Sequence, residues 1–505
     1  MTVRPLPFRS RLARLILPTI VLAIAVRLVY TNLGQYDPSD AAYDAGVYLE
    51  SARMMGRGYP LYQVIFDSQP PLWLMLVSLS FHWFGESVLA GQLVTATAGL
   101  LTVAATMTAT AQLCGWSGGL IAGVLVMLSP LELKWSRIVI PDLPSVAFAA
   151  VGMALAARYV RSGRRPWLVA ASLAATCSVL VKLPGLYTFP ALGLMVIARW
   201  RREPTLNYRR LARAVAWDSL IISGVFAGTT LAVLLMMGAG DVWNQVVTFH
   251  SAARAVYPSM AIAQKCRLML GFAAGERLLA YAAPFAILSV LGGLEGLAPL
   301  LWTFCTFIGL LYHRPLFHHH MVALIPPIAM VAGVGWTQFW KWSGALLEWS
   351  RRKNNLAGSV VGVAGVLGIS VGILVLAEQL RIAWAEAIAH EAILAQTTVD
   401  SPDLKLAKLI AERTRPDDVI LTDAQGIAFL AQRDVPPEMT DTSFVRIATH
   451  YITAREVVSV SEGHHVRAVL LWTGRLNLMP EVARWAEHFP HQESFGDGQV
   501  LYLQQ

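Results

Sequence analysis

The segment AAYDAGVYLESARMMGRGYPLYQ (residues 41–63) places a carboxylate and a tight aromatic turn directly after a long apolar run, residues 15–33. The run is about the length that crosses a membrane as a helix. Asp44 stands at the head of a helix-like stretch, and GRGYPLY predicts a turn. Acids beside membrane spans are costly unless they are solvated or paired, so they often mark function. The segment therefore predicts a membrane protein with its chemistry at one surface of the bilayer.

The composition indicates a helical membrane protein. The 505 residues are 55% hydrophobic and 14% charged, with a mean hydropathy of +0.52, whereas a soluble protein carries about 25% charged residues. The apolar stretches lack the period-2 alternation of a barrel, so helices are expected to satisfy the backbone in lipid. The net charge of +8 does not indicate nucleic-acid binding, because the basic residues cluster in short loops beside apolar stretches. The four cysteines lack metal-ligand spacing and are expected to be free thiols.

About eleven stretches are apolar and long enough to be candidate spans. They are residues 15–33, 88–112, 118–134, 143–160, 167–182, 184–199, 215–238, 278–293, 296–312, 321–340 and 357–377. Residues 70–84, PPLWLMLVSLSFHWF, are short and begin with Pro-Pro, so this stretch is expected to lie at or dip into the interface. With the N-terminus inside, the loops 161–165, 199–213 and 341–353 become cytoplasmic. These loops have the densest Lys and Arg content, as the positive-inside rule requires.

The chain divides into a transmembrane domain, residues 1–377, and a C-terminal domain, residues 378–505, that falls on the outer side. The C-terminal segment is far more polar. It contains the helix pattern LKLAKLIAERT, the strand patterns VILTD and VRAVLLW, and the helix pattern MPEVARWAEHF. This alternation predicts a small α/β module. The expected fold class is an all-α polytopic membrane domain of about 11 helices with a C-terminal extracytoplasmic α/β module.

Two acids, Asp44 and Asp142, fall on the same outer side in this topology. Asp142 closes the second outer loop in WSRIVIPDLP. Each of them has two interpretations. An aspartate at a helix start is a favoured N-cap, and an acid in a cleft with perturbed ionisation is a candidate catalytic group.

Basic groups also lie outside, against the charge rule. They are Arg137, Lys182, Arg254, Lys265, Arg267 and those of the tract YHRPLFHHHMVALIPP, residues 312–327, which holds His313, Arg314, His318, His319 and His320. Arginine is the best bidentate partner of a phosphate, and a histidine-rich tract can bind metal. The alternative is a polar belt at the membrane interface, with the imidazoles half in water.

Outward acids, outward cations and a wide lipid-facing surface together suit a lipid-phosphate substrate. If the lipid carries a sugar, the reaction is displacement at the anomeric carbon. A carboxylate would take the proton of the acceptor hydroxyl as general base. Cationic side chains would stabilise the phosphate as it leaves with its charge. No nucleotide cofactor is expected, because the lipid phosphate is itself the leaving group.

The sequence resembles the C-type glycosyltransferases, integral membrane enzymes that use polyprenyl-phosphate sugars. Among them it is similar to the protein O-mannosyltransferases and to the bacterial aminoarabinose transferases that modify lipid A. The matching segments are DAGVYLESA (44–52), GRGYPLYQ (56–63), FDSQPPLWLML (66–76), WFGES (83–87), SRIVIPDLP (136–144) and HHHMVALIPP (318–327). They follow one another in order over roughly residues 15–340, and their succession is more specific than any one of them.

The resemblance implies that Asp44 is the first-loop catalytic acid and Asp142 the second-loop acid near the donor or a metal. Ala45 stands where many relatives have Glu, and Gln69 where many have Lys before the Pro-Pro pair. The candidate ligands of the lipid phosphate are therefore Arg137, Lys182, Arg254, Arg314, His318 and His319. A divalent metal ion is left open, with Asp44, Asp142 and His318 as its candidate ligands.

The expected function is a glycosyltransferase that moves a sugar from a polyprenyl-phosphate donor to a protein, lipid or cell-envelope glycan. It would act at the outer face of the inner (plasma) membrane. The alternative is a transporter or flippase of lipid-linked substrates, and a second is a lipid-binding scaffold. Transporters tend to have inverted repeats and ionisable groups near the bilayer midplane. The sequence has no evident repeat, and its acids lie at the ends of spans.

Overall fold

A bundle of helices is followed in the chain by a small α/β module. The computed structural model describes residues 8–31, 33–36, 42–203, 207–257, 259–282, 285–353, 401–496 and 498–504, with scattered positions between 363 and 389. The predicted span 357–377 lies outside the described residues except at isolated positions.

The helices of the bundle range in length from about one turn to about eight turns. They are α1 (Phe8–Tyr30), α2 (Ala42–Gly56), α3 (Leu72–Phe84), α4 (Val88–Cys114), α5 (Trp116–Met127), α6 (Pro130–Trp135), α7 (Asp142–Ser162), α8 (Arg165–Val181), α9 (Phe189–Arg201), α10 (Tyr208–Met237), α11 (Ala239–Trp243), α12 (Phe249–Val256), α13 (Ile262–Gly275), α14 (Arg277–Ala282), α15 (Phe285–Ser289), α16 (Gly293–Tyr312) and α17 (Ile325–Lys353). Tight 3₁₀ segments cover Leu183–Thr188, Val290–Gly292 and His318–Leu324, and a π-helical turn covers Asn244–Thr248.

Several of these helices have the length and apolar composition of membrane spans. Within the described residues, five segments qualify: Val88–Cys114, Asp142–Ser162, Tyr208–Met237, Phe285–Tyr312 and His318–Leu346. Four shorter apolar helices accompany them: Leu15–Tyr30, Leu72–Phe84, Trp116–Met127 and Arg165–Val181. The chain is thus a membrane protein rich in apolar helices, and the count of about eleven spans stays a prediction.

Helix α3 covers the stretch that was expected to lie at the interface. It has 13 residues, so at 1.5 Å per residue it is roughly 20 Å long, against about 30 Å for the hydrocarbon core. Trp73, Leu74 and Val77 on one face are fully buried against the bundle. Its length agrees with the expectation that this helix does not cross the membrane.

A fully buried carboxylate, Asp218 in α10, joins four helices. It accepts hydrogen bonds from Trp200 Nε1 of α9 at 2.7 Å and from Arg165 Nε of α8 at 3.0 Å, and also from the hydroxyl of Tyr159 in α7. Asp218 has no exposed surface. An acid at such a position is stable only with partners, so these three donors fix the order in which the helices pack.

The C-terminal module is a four-stranded sheet with helices on both faces. Its helices are α18 (Pro402–Arg413), α19 (Gln425–Leu430), α20 (Phe444–Ala448), α21 (Ala454–Gly463) and α22 (Pro480–Ala486), and its strands are β1 (Ile420–Thr422), β2 (Ala468–Leu471), β3 (His491–Gly496) and β4 (Gln499–Leu503). The strand order is β1-β2-β4-β3, with β1 and β2 parallel and the other pairs antiparallel. The two helices and two strands predicted from the sequence are present. The β3–β4 hairpin was not predicted.

The module docks on α2, the helix that carries Asp44. Gly46 and Gly426 touch: a Cβ atom on Gly46 would lie 2.2 Å from the backbone nitrogen of Gly426. The guanidinium of Arg53, buried to 3% exposure, donates to the carbonyl of Phe429 at 3.1 Å and to that of Arg433 at 3.3 Å. It also pairs with Glu50 at 2.9 Å. Helix α2, in the first loop after α1, and the module therefore form one packed unit.

We expect Asp218→Ala to destabilise the helix bundle by about 1.5–3 kcal/mol, the range for hydrogen bonds to a charged group. The substitution removes the common acceptor of three donors on three helices. The midpoint of thermal unfolding in detergent measures the effect. Asp417→Ala, at an exposed acid, is the control. Equal midpoints for the two variants would contradict the structural role of Asp218.

We expect Gly46→Ala to weaken the docking of the module by roughly 1–3 kcal/mol, since a methyl group cannot fit against the Gly426 backbone and the helices must separate. The measurement is the rate at which a protease releases the C-terminal module. Gly193→Ala serves as control, because a Cβ at this helical position meets no atom within 4 Å. If both variants are cleaved as slowly as wild type, the close contact is not a stabilising one.

Candidate active site

A cavity of about 210 Å³ lies where the first loop, the start of α7, the end of α8 and the C-terminal module meet. Its lining mixes polar and apolar side chains and carries both signs of charge. The charged or titratable residues that line it are Tyr43, Asp44, Tyr48, Asp67, Asp142, Lys182, His250, Tyr257, His313, Arg314, His319, His320 and Asp441. Asp44 and Asp142 thus face one shared cavity.

Asp44 lies in the first turn of α2. Its side chain is accessible by surface area, yet the surface it touches is that of the cavity. Withdrawal from bulk water raises the pKa of Asp44 to about 6, and repulsion by Asp441 adds to the rise, while Lys182 opposes it. A carboxylate with this pKa is ionised at neutral pH and can still accept a proton, as a general base must.

Asp142 and Lys182 form a buried ion pair. The Lys182 Nζ atom lies 2.7 Å from Asp142 Oδ2, and the two residues are 8% and 5% exposed respectively. About one helical turn from the ion pair, reciprocal hydrogen bonds join α7 and α8. Ser145 Oγ donates to the Ser178 carbonyl at 2.9 Å, and Ser178 Oγ donates to the Ser145 carbonyl at 2.7 Å. Two small hydroxyl residues therefore hold the start of α7 and the end of α8 at the spacing that the ion pair needs.

The position of Lys182 follows from a break in the helix. Helix α8 ends at Val181, Lys182 is extended with φ −156° and ψ 134°, and a 3₁₀ segment follows from Leu183. Pro184 has no N–H to continue the α8 ladder. The break turns Lys182 toward the cavity at the point where the sequence predicted a tight turn.

Three imidazoles form one wall of the cavity. The His320 ring centroid lies 4.3 Å from that of His319 and 4.4 Å from that of His313. Phe317 N donates to His320 Nδ1 at 3.2 Å, so His320 Nδ1 serves as acceptor. Burial lowers the pKa of His313 to about 3, with Lys182 adding to the effect. His313 is therefore neutral at physiological pH.

A metal ion could be held by Asp142, His319 and His320, whose ligand atoms lie within 4.8 Å of one another. Two imidazoles and one carboxylate are a ligand set found at catalytic zinc. The ammonium of Lys182 already occupies Asp142 Oδ2, so a metal would have to use the other oxygen and tolerate a cation beside it. Of the metal ligands expected from the sequence, the trio contains Asp142 but neither Asp44 nor His318.

The structure distributes the other expected phosphate ligands unevenly. Lys182, Arg314 and His319 line the cavity. His318 lines a neighbouring pocket with Lys134. The remaining two, Arg137 and Arg254, are not among the cavity-lining residues.

Arg137 and Arg314 are both held by backbone carbonyls. The Arg137 guanidinium is buried and donates to the Leu28 carbonyl of α1. Arg314 donates through Nη2 to the Tyr257 carbonyl, and its Nε is buried without a hydrogen-bond partner among the described residues. Arg314 thus lines the cavity and has one donor, Nε, that is bound by no acceptor among the described residues.

Two cavity acids were not singled out from the sequence. Asp67, 5% exposed, accepts from Gln69 N at 2.9 Å through Oδ1, and burial raises its pKa well above the ordinary value. It lies inside the FDSQPP motif, which was quoted as a whole, so its position could have been noticed. Asp441 belongs to the C-terminal module and accepts from the Tyr43 hydroxyl at 3.0 Å. Nothing in the local sequence of Asp441 connects it to the first loop.

Comparisons with known proteins support the resemblance stated above. Residues 68–227 match the family model described as dolichyl-phosphate-mannose-protein mannosyltransferase. A search of curated protein sequences found no match.

Solved structures share the whole architecture. The structure of ArnT from Cupriavidus metallidurans bound to undecaprenyl phosphate superposes with a TM-score of 0.65 at 18% identity, covering 97% of each chain. The oligosaccharyltransferase AglB from Archaeoglobus fulgidus, in complex with an inhibitory peptide and a dolichol-phosphate, gives a TM-score of 0.52 at 12% identity over 99% of this chain and 75% of its own.

At these identities the likeness to solved structures establishes the fold. The family model covers part of the bundle, including α4, α7 and α8 with the Asp142–Lys182 pair. The resemblance is therefore confirmed: this chain has the C-type glycosyltransferase fold and resembles the protein O-mannosyltransferases in the region of residues 68–227.

Proposed function

We propose that this protein is a glycosyltransferase that moves a sugar from a polyprenyl-phosphate donor to an acceptor hydroxyl. The observation that carries the proposal is the convergence of Asp44 with the Asp142–Lys182 pair on one cavity. A base on one side and a cation on the other is the arrangement that displacement from a phosphate requires. The fold shared with an undecaprenyl-phosphate-bound enzyme supports this donor class.

In the proposed reaction the acceptor oxygen forms a bond with the anomeric carbon of the sugar, and the bond between that carbon and the phosphate oxygen breaks. Asp44 takes the proton of the acceptor hydroxyl. The polyprenyl phosphate leaves with the bonding electron pair. Holding acceptor and donor in line within a cavity of about 210 Å³ supplies the remaining acceleration.

Lys182 and Arg314 are the proposed phosphate ligands, with His319 beside them. Lys182 can approach the leaving oxygens while Asp142 holds its ammonium in place at 2.7 Å. We assign Asp142 as the residue that positions this cation. His318, Arg137 and Arg254 are less direct candidates, since none of them lines the cavity.

We further propose that the cavity and the C-terminal module, with a domain boundary near residue 377, face the outside of the inner (plasma) membrane. The charge of the loops supports this orientation, because the Lys- and Arg-rich loops at 161–165 and 199–213 lie at the ends of α7 to α10 remote from Asp142 and Lys182.

The direct test incubates the purified protein with a panel of radiolabelled undecaprenyl-phosphate sugars and the envelope fraction of a strain lacking the gene. Transfer of label from one of the lipids to another product supports the proposal. A flippase or a scaffold would leave the label on the lipid. Transbilayer movement of intact donor in proteoliposomes, without transfer, would establish the flippase alternative.

We expect the Asp44→Asn variant to lose sugar transfer while it still binds the donor. For the wild type, we expect kcat/KM to fall as the pH drops through about 6. The sign follows from the role: the base must be unprotonated, and its pKa is raised to about 6. The charged groups that set this value are Asp441, Lys182, Arg475 and Asp142. A pH profile of kcat/KM measures the effect, and an acid limb near 4 would contradict the assignment.

We expect Lys182→Ala to weaken undecaprenyl phosphate binding about tenfold or more, because a phosphate contact is lost and Asp142 is left as an unpaired buried anion. Isothermal calorimetry in detergent gives the affinity. The exposed Lys408→Ala is the control. The double variant with Asp142→Asn removes the stranded charge, so it keeps the test valid if the single variant does not fold. Unchanged affinity in the double variant would exclude Lys182 as a phosphate ligand.

A further inference from the structure

The C-terminal module contributes its own wall to the cavity, through Asp441, Ser443 and Val445. This wall lies on the Asp44 side. Asp441 is the charged neighbour with the largest effect on Asp44, whereas the neighbours that act on Asp142 are Lys182 and two histidines. The cavity thus has a cationic side, assigned above to the donor phosphate, and an acidic side built by Asp44, Asp67 and Asp441.

Asp441 is held rigidly by its surroundings. Its Oδ1 accepts from the Tyr43 hydroxyl at 3.0 Å and from Ser443 N at 2.7 Å. Arg446, 5% exposed, donates to the Asp441 carbonyl at 2.6 Å and to the Glu438 carbonyl at 2.7 Å. The hydrogen bonds from Tyr43 and Ser443 both fall on Oδ1, and Oδ2 accepts none from the described residues. A preorganised acceptor of this kind suits ligand recognition.

Asp67 provides an independent observation. It is 5% exposed, it lines the same cavity, and its Oδ2 has no hydrogen-bond partner among the described residues. Such a buried acceptor without a partner is uncommon and calls for a ligand. Two acidic side chains beside the proposed base therefore line the cavity, and each has an oxygen that accepts no hydrogen bond from the described residues.

We propose that Asp441 and Asp67 bind the acceptor, and that the acceptor carries several hydroxyl groups around the one that reacts, as a glycan does. The inference rests on the proposed function and refines its acceptor. Each of the two carboxyl groups accepts a hydrogen bond from a neighbouring hydroxyl while Asp44 takes the proton of the reacting one. An isolated serine or threonine side chain would leave Asp67 and Asp441 without donors, which carries a penalty for buried acceptors.

The test compares wild type with Asp441→Asn at a saturating labelled donor, while the envelope fraction of a strain lacking the gene is titrated as acceptor. Asparagine keeps an oxygen for the bonds from Tyr43 and Ser443 but loses the charge. We expect the apparent KM for the acceptor fraction to rise about tenfold or more, the loss of one hydrogen bond to a charged group. The KM for the donor and the affinity for undecaprenyl phosphate stay as in wild type. Asp67→Asn is expected to act in the same direction.

Asp434→Asn is the matched control, because this acid of the same module pairs with Arg57 of the first loop at 3.4 Å and does not line the cavity. An acceptor KM for Asp441→Asn equal to that of Asp434→Asn would overturn the inference. So would a loss of donor affinity equal to the loss for the acceptor. If the wild type moves no label at all, the proposed function itself is wrong.

The labelled product distinguishes the two acceptor classes. Label that remains in a glycan or glycolipid after exhaustive protease digestion supports a polyhydroxyl acceptor. Label released as small glycopeptides linked through serine or threonine would overturn that part of the inference.

Discussion

The buried ion pair between Asp142 and Lys182 is the interaction on which the site depends. Two opposite charges at 2.7 Å are stable at low exposure because each neutralises the other. Removing both charges from water still costs free energy, which their mutual attraction has to offset. The pair therefore requires the ends of α7 and α8 to stay in register. The reciprocal Ser145–Ser178 hydrogen bonds provide that register. A buried cation is thus built into the packing of α7 against α8.

Charge in the cavity is separated by origin. The cations and imidazoles come from the bundle, at Lys182 and in the tract from His313 to His320. The bundle also supplies Asp142, which is paired with Lys182, whereas the other cavity acids come from the first loop and the C-terminal module. Low-dielectric surroundings strengthen both fields. A substrate that is anionic at one end and rich in hydroxyls at the other would be oriented by this separation before any bond changes, which is the preorganisation that transfer reactions use.

Much of this arrangement could be predicted from the sequence, and the parts that could not have physical reasons. Apolar lengths and loop charges predicted the helical bundle, and counting crossings placed Asp44, Asp142 and Lys182 on one side, in agreement with the cavity that they share. The β3–β4 hairpin was missed although GDG at residues 496–498 is a turn signal. Asp441 could not be found, because its contact with Tyr43 joins residues 398 positions apart. A single sequence does not show which residues so far apart in the chain come into contact.

The sequence also does not show which histidines of a tract reach the same site. The sequence groups His318, His319 and His320 into one cluster, but the 3₁₀ segment His318–Leu324 has three residues per turn, so successive rings point in different directions. His319 and His320 face the cavity, and His318 faces the neighbouring pocket. Local helix type, which residue pattern alone did not reveal, decided which imidazoles reach the site.

The docking of Arg53 on Phe429 and Arg433 has a consequence for biosynthesis. Helix α2 leaves the ribosome early, but the carbonyls that receive its guanidinium are synthesised nearly 400 residues later. Until then Arg53 and the flat face around Gly46 have no partner in the module. Helix α2 therefore reaches its packed form only after the C-terminal module has been synthesised. Completion of the cavity wall formed by Asp441, Ser443 and Val445 is in this way tied to synthesis of the module.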